Sequence, residues 1–148
     1  MKQLILAVFI FCTAVNSKGQ MLTPVKWSYA FKKLNAAEAI VYVKATVDEG
    51  WHLYSQTVKE GGPVKTTFTF AKSPAYTLMG NTVEPKPITK FEKTFDMDVA
   101  YFEKTALFSQ KVKLKGKSAV VKGTVEFMVC DDKQCLPPEE ISFSITVK

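Results

Sequence analysis

Arginine is absent from this 148-residue chain: all twenty basic residues are lysine, set against 14 acids for a formal charge of +6. Without the planar guanidinium fork that clamps phosphates and base edges bidentately, the chain argues against a nucleic-acid reader. Cysteine is scarce as well, three in all, which excludes a disulfide-dense scaffold. The single histidine, His52, adds too little to make a zinc-ribbon or finger set. Long apolar runs are also missing. The longest, residues 4–15, holds twelve residues against the ~20 that a membrane span needs. What is present is the mixture of a small globular protein, 47% hydrophobic, 23% charged and 12% aromatic, which rules out disorder.

The start of the chain reads as a secretory leader. Lys2 supplies the positive start, residues 4–15 the apolar core, and Ser17 and Gly19 the small residues of a cleavage site. Cleavage is expected before Gln20, with the position after Ser17 as the alternative. Cys12 follows Phe9-Ile10-Phe11, which lack the small residues that a lipidation site wants. A cut after residue 19 removes Cys12 and leaves one pair, Cys130 and Cys135, in a domain of residues 20–148. In an oxidising, extracytoplasmic compartment that even pair is expected to form a disulfide.

The rest of the chain reads as strands. Val25, Trp27, Tyr29 and Phe31 alternate with polar or small residues, as do Val41, Val43, Ala45 and Val47. Further extended pieces are expected at 51–54, 64–70, 106–114, 119–130 and 141–147. Pro74, Pro85 and Pro87 mark residues 80–98 as the least regular stretch, and residues 35–40 are the one place where a helical turn is expected. No internal repeat or linker divides the chain. Eight or so strands over about 125 residues imply one all-β domain, an immunoglobulin-like antiparallel β-sandwich. Lys111, Lys113 and Lys115 share a strand face and read as solvated rather than anion-binding.

One constellation can carry chemistry. Four residues separate Cys130 from Cys135, enough for a hairpin loop that sets the two opposite each other at disulfide distance. In the preceding strand Val125, Phe127 and Val129 make the apolar face, so Cys130 falls on the other face and is expected to be reachable by another protein's thiolate. Two readings stay open. The disulfide is a plain staple in a non-enzymatic immunoglobulin-like binding module, or it is a redox pair. A closed loop of six residues stabilises by only about 2 kcal/mol in the chain-entropy model, which makes a poor staple. A third reading, a Cu(I) carrier using Cys130, Cys135, Met128 and His52, follows from the softness of those ligands.

Cys130 to Glu139, C-D-D-K-Q-C-L-P-P-E, resembles the active-site hairpin of the N-terminal periplasmic domain of the thiol:disulfide interchange protein DsbD family. Trp51-His52-Leu53-Tyr54-Ser55-Gln56 is similar to that family's Y-Y-L-Y-x-Q segment, and Tyr101-Phe102-Glu103-Lys104 to its Y-x-(D/E)-(K/R) segment. The matches occur in the family's order. The resemblance implies an immunoglobulin-like thiol–disulfide oxidoreductase with Cys130 and Cys135 as the redox pair and no cofactor. It further implies thioredoxin-fold partners in the cell envelope and a membrane electron donor. Tyr54 then lies beside the cysteines, Tyr101 lines the site, and Phe95, with Phe91 second, is the phenylalanine of a cap loop. This sequence departs from the family's best-known members in having four rather than five residues between the cysteines. It also has His52 in place of a tyrosine, and Lys93-Thr94 where acids precede the cap phenylalanine. The membrane segments and thioredoxin domain of full-length members do not follow, so a stand-alone copy of the domain, or a fragment, is expected. His52 can serve as a base near the pair, and Asp131 and Asp132 are expected to raise the Cys130 pKa.

Overall fold

The computed structural model describes residues 22–148; the expected leader, with Cys12, lies outside the described residues. The first layer grows from a hairpin. β1 (Val25–Lys33) pairs antiparallel with β2 (Glu38–Val47), from Val25 opposite Val47 to Lys33 opposite Ala39. The helical turn expected at 35–40 does not form. Asn35 Oδ1 instead accepts the Ala37 N–H at 2.8 Å, a turn of the kind asparagine favours, and ladder pairing resumes at Glu38. β2 also pairs with β8 (Thr105–Leu114), whose other edge takes β5 (Tyr76–Val83), for the order β1-β2-β8-β5. Lys113 and Lys115 are exposed, and Lys111 reaches Glu38 at 3.1 Å, as a solvated face requires.

The second layer has two parts. β11 (Glu139–Val147), β9 (Ala119–Phe127) and β4 (Thr67–Phe70) form a three-stranded sheet. β10 (Val129–Cys130), β3 (His52–Tyr54), β7 (Met97–Phe102) and β6 (Ile88–Glu92) form a four-stranded one. The expected strand 119–130 is therefore two strands, because the chain changes sheets at Met128. The stretch 80–98 is more regular than its prolines suggest. Pro85 and Pro87 fall between β5 and β6, where no ladder N–H is needed, and β6 and β7 pair as a hairpin.

Two apolar clusters fill the space between the layers. Val41, Val43, Val112, Val121, Phe143, Ile145 and Val147 make one. Ala45, Val47, Leu53, Phe102, Ala106, Phe108, Phe127 and Val129 make the other. A third cluster lies on the opposite face of the four-stranded sheet: Tyr54, Val58, Val99, Tyr101 and Cys130. Along β3, β7 and β10 successive residues point to opposite faces, so Leu53, Phe102 and Val129 enter the main core while Tyr54, Tyr101 and Cys130 enter the third. Residues 55–66 lie over that face. Ser55 is tied to Ala100 O through its N–H and to Glu84 through its hydroxyl, and the Thr66 hydroxyl donates to Tyr54 O at 2.5 Å.

Candidate redox site

The hairpin forms as the spacing expects. Cys130 and Cys135 are bridge partners, flanked by the Asp131 N–H to Gln134 O at 2.9 Å and the Leu136 N–H to Val129 O at 3.0 Å. That pattern makes them a non-hydrogen-bonded pair, the type that brings Cα atoms closest. Their Cα atoms lie 4.0 Å apart and the sulfurs form a disulfide. Asp131 holds the loop: its Oδ1 accepts the Lys133 N–H at 2.8 Å and the Gln134 N–H at 2.7 Å. Those two donors keep its carboxyl below the usual carboxylate range. The acid expected to act on Cys130 is thus turned into its own loop.

Strand phase puts Cys130 on the face away from the main core, but that face is not open to solvent. Cys130 is only 4% exposed, whereas Cys135 is exposed. The exposed cysteine is therefore Cys135, not Cys130. The reason is non-local: Val58 from residues 55–66 joins the cluster that holds Cys130, and Phe95 and Met97 from the β6–β7 hairpin pack against it. Phe95 sits in the turn, where its N–H donates to Glu92 O at 3.1 Å and Asp96 takes a left-handed φ of 51°. Phe95 packs against the Cys130 cluster, while Phe91, on β6, is 52% exposed.

Tyr54 and Tyr101 pair across β3 and β7 and are both buried in this cluster. Burial, reinforced by the charge of Glu92 and by Tyr101, pushes the Tyr54 phenol up to about 12. Tyr101 is raised by burial first, then by Glu103, Glu92 and Asp132. Both phenols stay neutral at physiological pH. His52 stands opposite Cys130 in the β3–β10 ladder, its ring centroid 4.4 Å from that of Tyr101. Its Nε2 lies 3.1 Å from Glu103 Oε1. The sequence alone singles out His52; Glu103 stands in it only within the segment Tyr101–Lys104, a glutamate with no partner until the fold supplies one.

The residues considered for Cu(I) are separated in role: the cysteines bond each other, and His52 bonds Glu103. Among the described residues no group of three or more His, Cys, Asp or Glu side chains is set to hold a metal ion. No helix among them is long and apolar enough to cross a membrane.

Comparisons with known proteins agree on the architecture. The DsbD N-terminal domain of Neisseria meningitidis in its reduced form superposes with a TM-score of 0.56 at 14% identity, covering 83% of this chain and 85% of that one. The same Neisseria domain, in a complex with the PilB N-terminal domain, gives a TM-score of 0.57 at 14% identity over 85% and 88% of the two chains. The N-terminal periplasmic domain of ScsB from Proteus mirabilis gives 0.54 at 15% identity, over 80% of this chain and 44% of that one. At such identities these likenesses establish the shared fold, the expected immunoglobulin-like sandwich. No curated protein matches by sequence. The family model for the N-terminal part of the thiol:disulfide interchange protein DsbD matches residues 19–146. With nearly its whole length matched, the chain belongs to the DsbD N-terminal domain family.

Proposed function

We propose that this chain, as a mature domain of residues 20–148, is an exported, periplasmic thiol–disulfide exchange module. It relays two electrons through Cys130 and Cys135 to or from thioredoxin-fold proteins of the envelope, with a membrane protein as the electron donor. The observation that carries this reading is the unequal exposure of one disulfide: Cys135 exposed at the hairpin edge, Cys130 buried in one cluster with Tyr54 and Tyr101, against which Phe95 packs. A structural disulfide gains nothing from an open sulfur, and a six-residue loop stabilises little. Exchange needs one sulfur that a partner thiolate can reach and a second that departs or returns inside the same molecule.

In the reducing direction the Cys135 thiolate attacks a partner disulfide, and Cys130 then displaces the partner from the mixed disulfide. Pro137 and Pro138 keep the chain beyond Cys135 out of regular pairing, which leaves an edge for a partner's backbone. A Neisseria DsbD N-terminal domain has been captured in a complex with a PilB domain, which supports a protein partner for this chain.

Trapping tests the proposal. Cys130→Ala should accumulate a mixed disulfide through Cys135 with a thioredoxin-fold protein lacking its own resolving cysteine, and Cys135→Ala should accumulate none. The pair's reduction potential should lie above about −300 mV. No trapped species together with a potential below that value would leave a binding module with a structural disulfide.

A further inference from the structure

We propose that Glu103 and His52 form a carboxylate–imidazole dyad that carries the proton of the Cys130 thiol during exchange, a role that rests on the reading above. The residues stand in one row. Leu53 opposes Phe102 and Tyr54 opposes Tyr101, so extending this register by one residue sets His52 opposite Glu103. On its other side His52 opposes Cys130, and Cys130 opposes Cys135. Four neighbouring chain segments thus place carboxylate, imidazole and the two sulfurs in sequence, with the His52 Nε2 to Glu103 Oε1 contact at 3.1 Å.

Burial gives the row a direction. Cys130 is 4% exposed, and the side chains of His52 and Glu103 are 14% and 44% exposed. A thiol at that depth has little contact with water, and the imidazole of the residue opposite it leads outward. The other titratable groups around this face are poor substitutes. Tyr54 from β3 and Tyr101 from β7 hold their protons well above neutrality, Glu92 and Asp132 act on those phenols through charge, and Asp131 is bonded to its own loop. With Nε2–H donated to Glu103, the ring nitrogen left as acceptor is Nδ1.

The step balances as follows. In the mixed disulfide between Cys135 and a partner, Nδ1 takes the Cys130 proton and the Cys130 sulfur bonds Cys135 Sγ. The Cys135–partner S–S bond breaks, and the partner sulfur leaves with the electron pair, reduced. The imidazolium sits against the Glu103 carboxylate and returns its proton to water. In the opposite direction a donor thiolate attacks Cys135, Cys130 departs as thiolate, and His52 reprotonates it. His52 acts directly on the reacting thiol; Glu103 is a positioning residue.

Reduced full-length protein mixed with excess dithiobis(nitrobenzoate) should release nitrothiobenzoate twice, first as Cys135 is modified and then as Cys130 resolves the adduct. His52→Gln should leave the first release unchanged and slow the second about tenfold near pH 7, because an unassisted thiol is only a few per cent thiolate there. The slowed release should recover in alkaline buffer, where the thiol ionises without a base. Glu103→Gln, which keeps a hydrogen-bonding side chain, should change the pH dependence of the second release, and free imidazole should speed that release in His52→Ala. A second release with wild-type rate and pH profile in both His52→Gln and Glu103→Gln overturns the dyad. Normal two-step release without electron transfer to any thioredoxin-fold protein would instead sink the exchange reading and leave the dyad standing.

Discussion

A buried cysteine bonded to an exposed one is the feature on which the proposed exchange turns, and the residues around it bear on access. Phe95 packs over the cluster that holds Cys130, so Phe95→Ala should open it. Attack on the disulfide by a small dithiol should then accelerate several-fold, measured as the pseudo-first-order rate of reduction, while stability falls only modestly because Phe95 is half-buried in a turn. Tyr54 offers a different measurement. Its phenol is raised by burial to about 12, against about 10 in the unfolded chain. A folded-state value above the unfolded one means that the stabilisation is complete below pH ~10 and is lost as pH rises toward ~12. The loss amounts to about 3 kcal/mol for that shift, and Tyr54→Phe should remove this part of the alkaline dependence in urea melts across that window.

At the scale of elements, close approaches decide what the strands tolerate. A Cβ built on Gly123 in β9 would lie 2.5 Å from Thr69 O on β4 and 2.6 Å from the Phe143 ring on β11. The first obstacle is backbone, so it cannot swing aside. Gly123→Ala should cost about 1–3 kcal/mol, read as a lower urea midpoint at unchanged slope, without altering the reduction potential of a site one sheet away. β5 depends on a buried side chain in another way. Gln110, 2% exposed, donates to Met79 O, Gly80 O and Lys111 O, which lets β5 leave regular register between Met79 and Val83. Gln110→Leu leaves carbonyls without that donor and should cost about 1–3 kcal/mol by the same measurement.

For the whole molecule, the disulfide is peripheral to what holds the sandwich together. The cores are closed by Phe108, Val41, Val112 and Val121 between the layers, residues essentially inaccessible to solvent. Reduction of Cys130–Cys135 should therefore lower stability by no more than about 2 kcal/mol, with the fold kept. Phe108→Ala should cost about 3–5 kcal/mol. Paired chemical denaturation of the oxidised and reduced protein checks the first value, and a variant melt checks the second. This ordering suits a carrier, since a domain that unfolds on reduction cannot hand electrons on.

Much of this was legible in the chain itself. The strands at Val41–Val47 and Ile141–Val147 follow from the two-residue alternation of the pleat, a local property that any stretch of sequence carries on its face. The opposition of Cys130 and Cys135 follows from loop length, which is local as well. What surrounds a strand face is not local. The sequence phase placed Cys130 away from the main core, and only the tertiary structure decided that it would lie buried in a cluster with Val58, against which Phe95 and Met97 pack, and leave Cys135 exposed. Likewise His52 and Glu103 are 51 residues apart along the chain and meet only because β3 and β7 pair in one register. Alternation dictates which way a side chain points, while long-range packing dictates what it meets there.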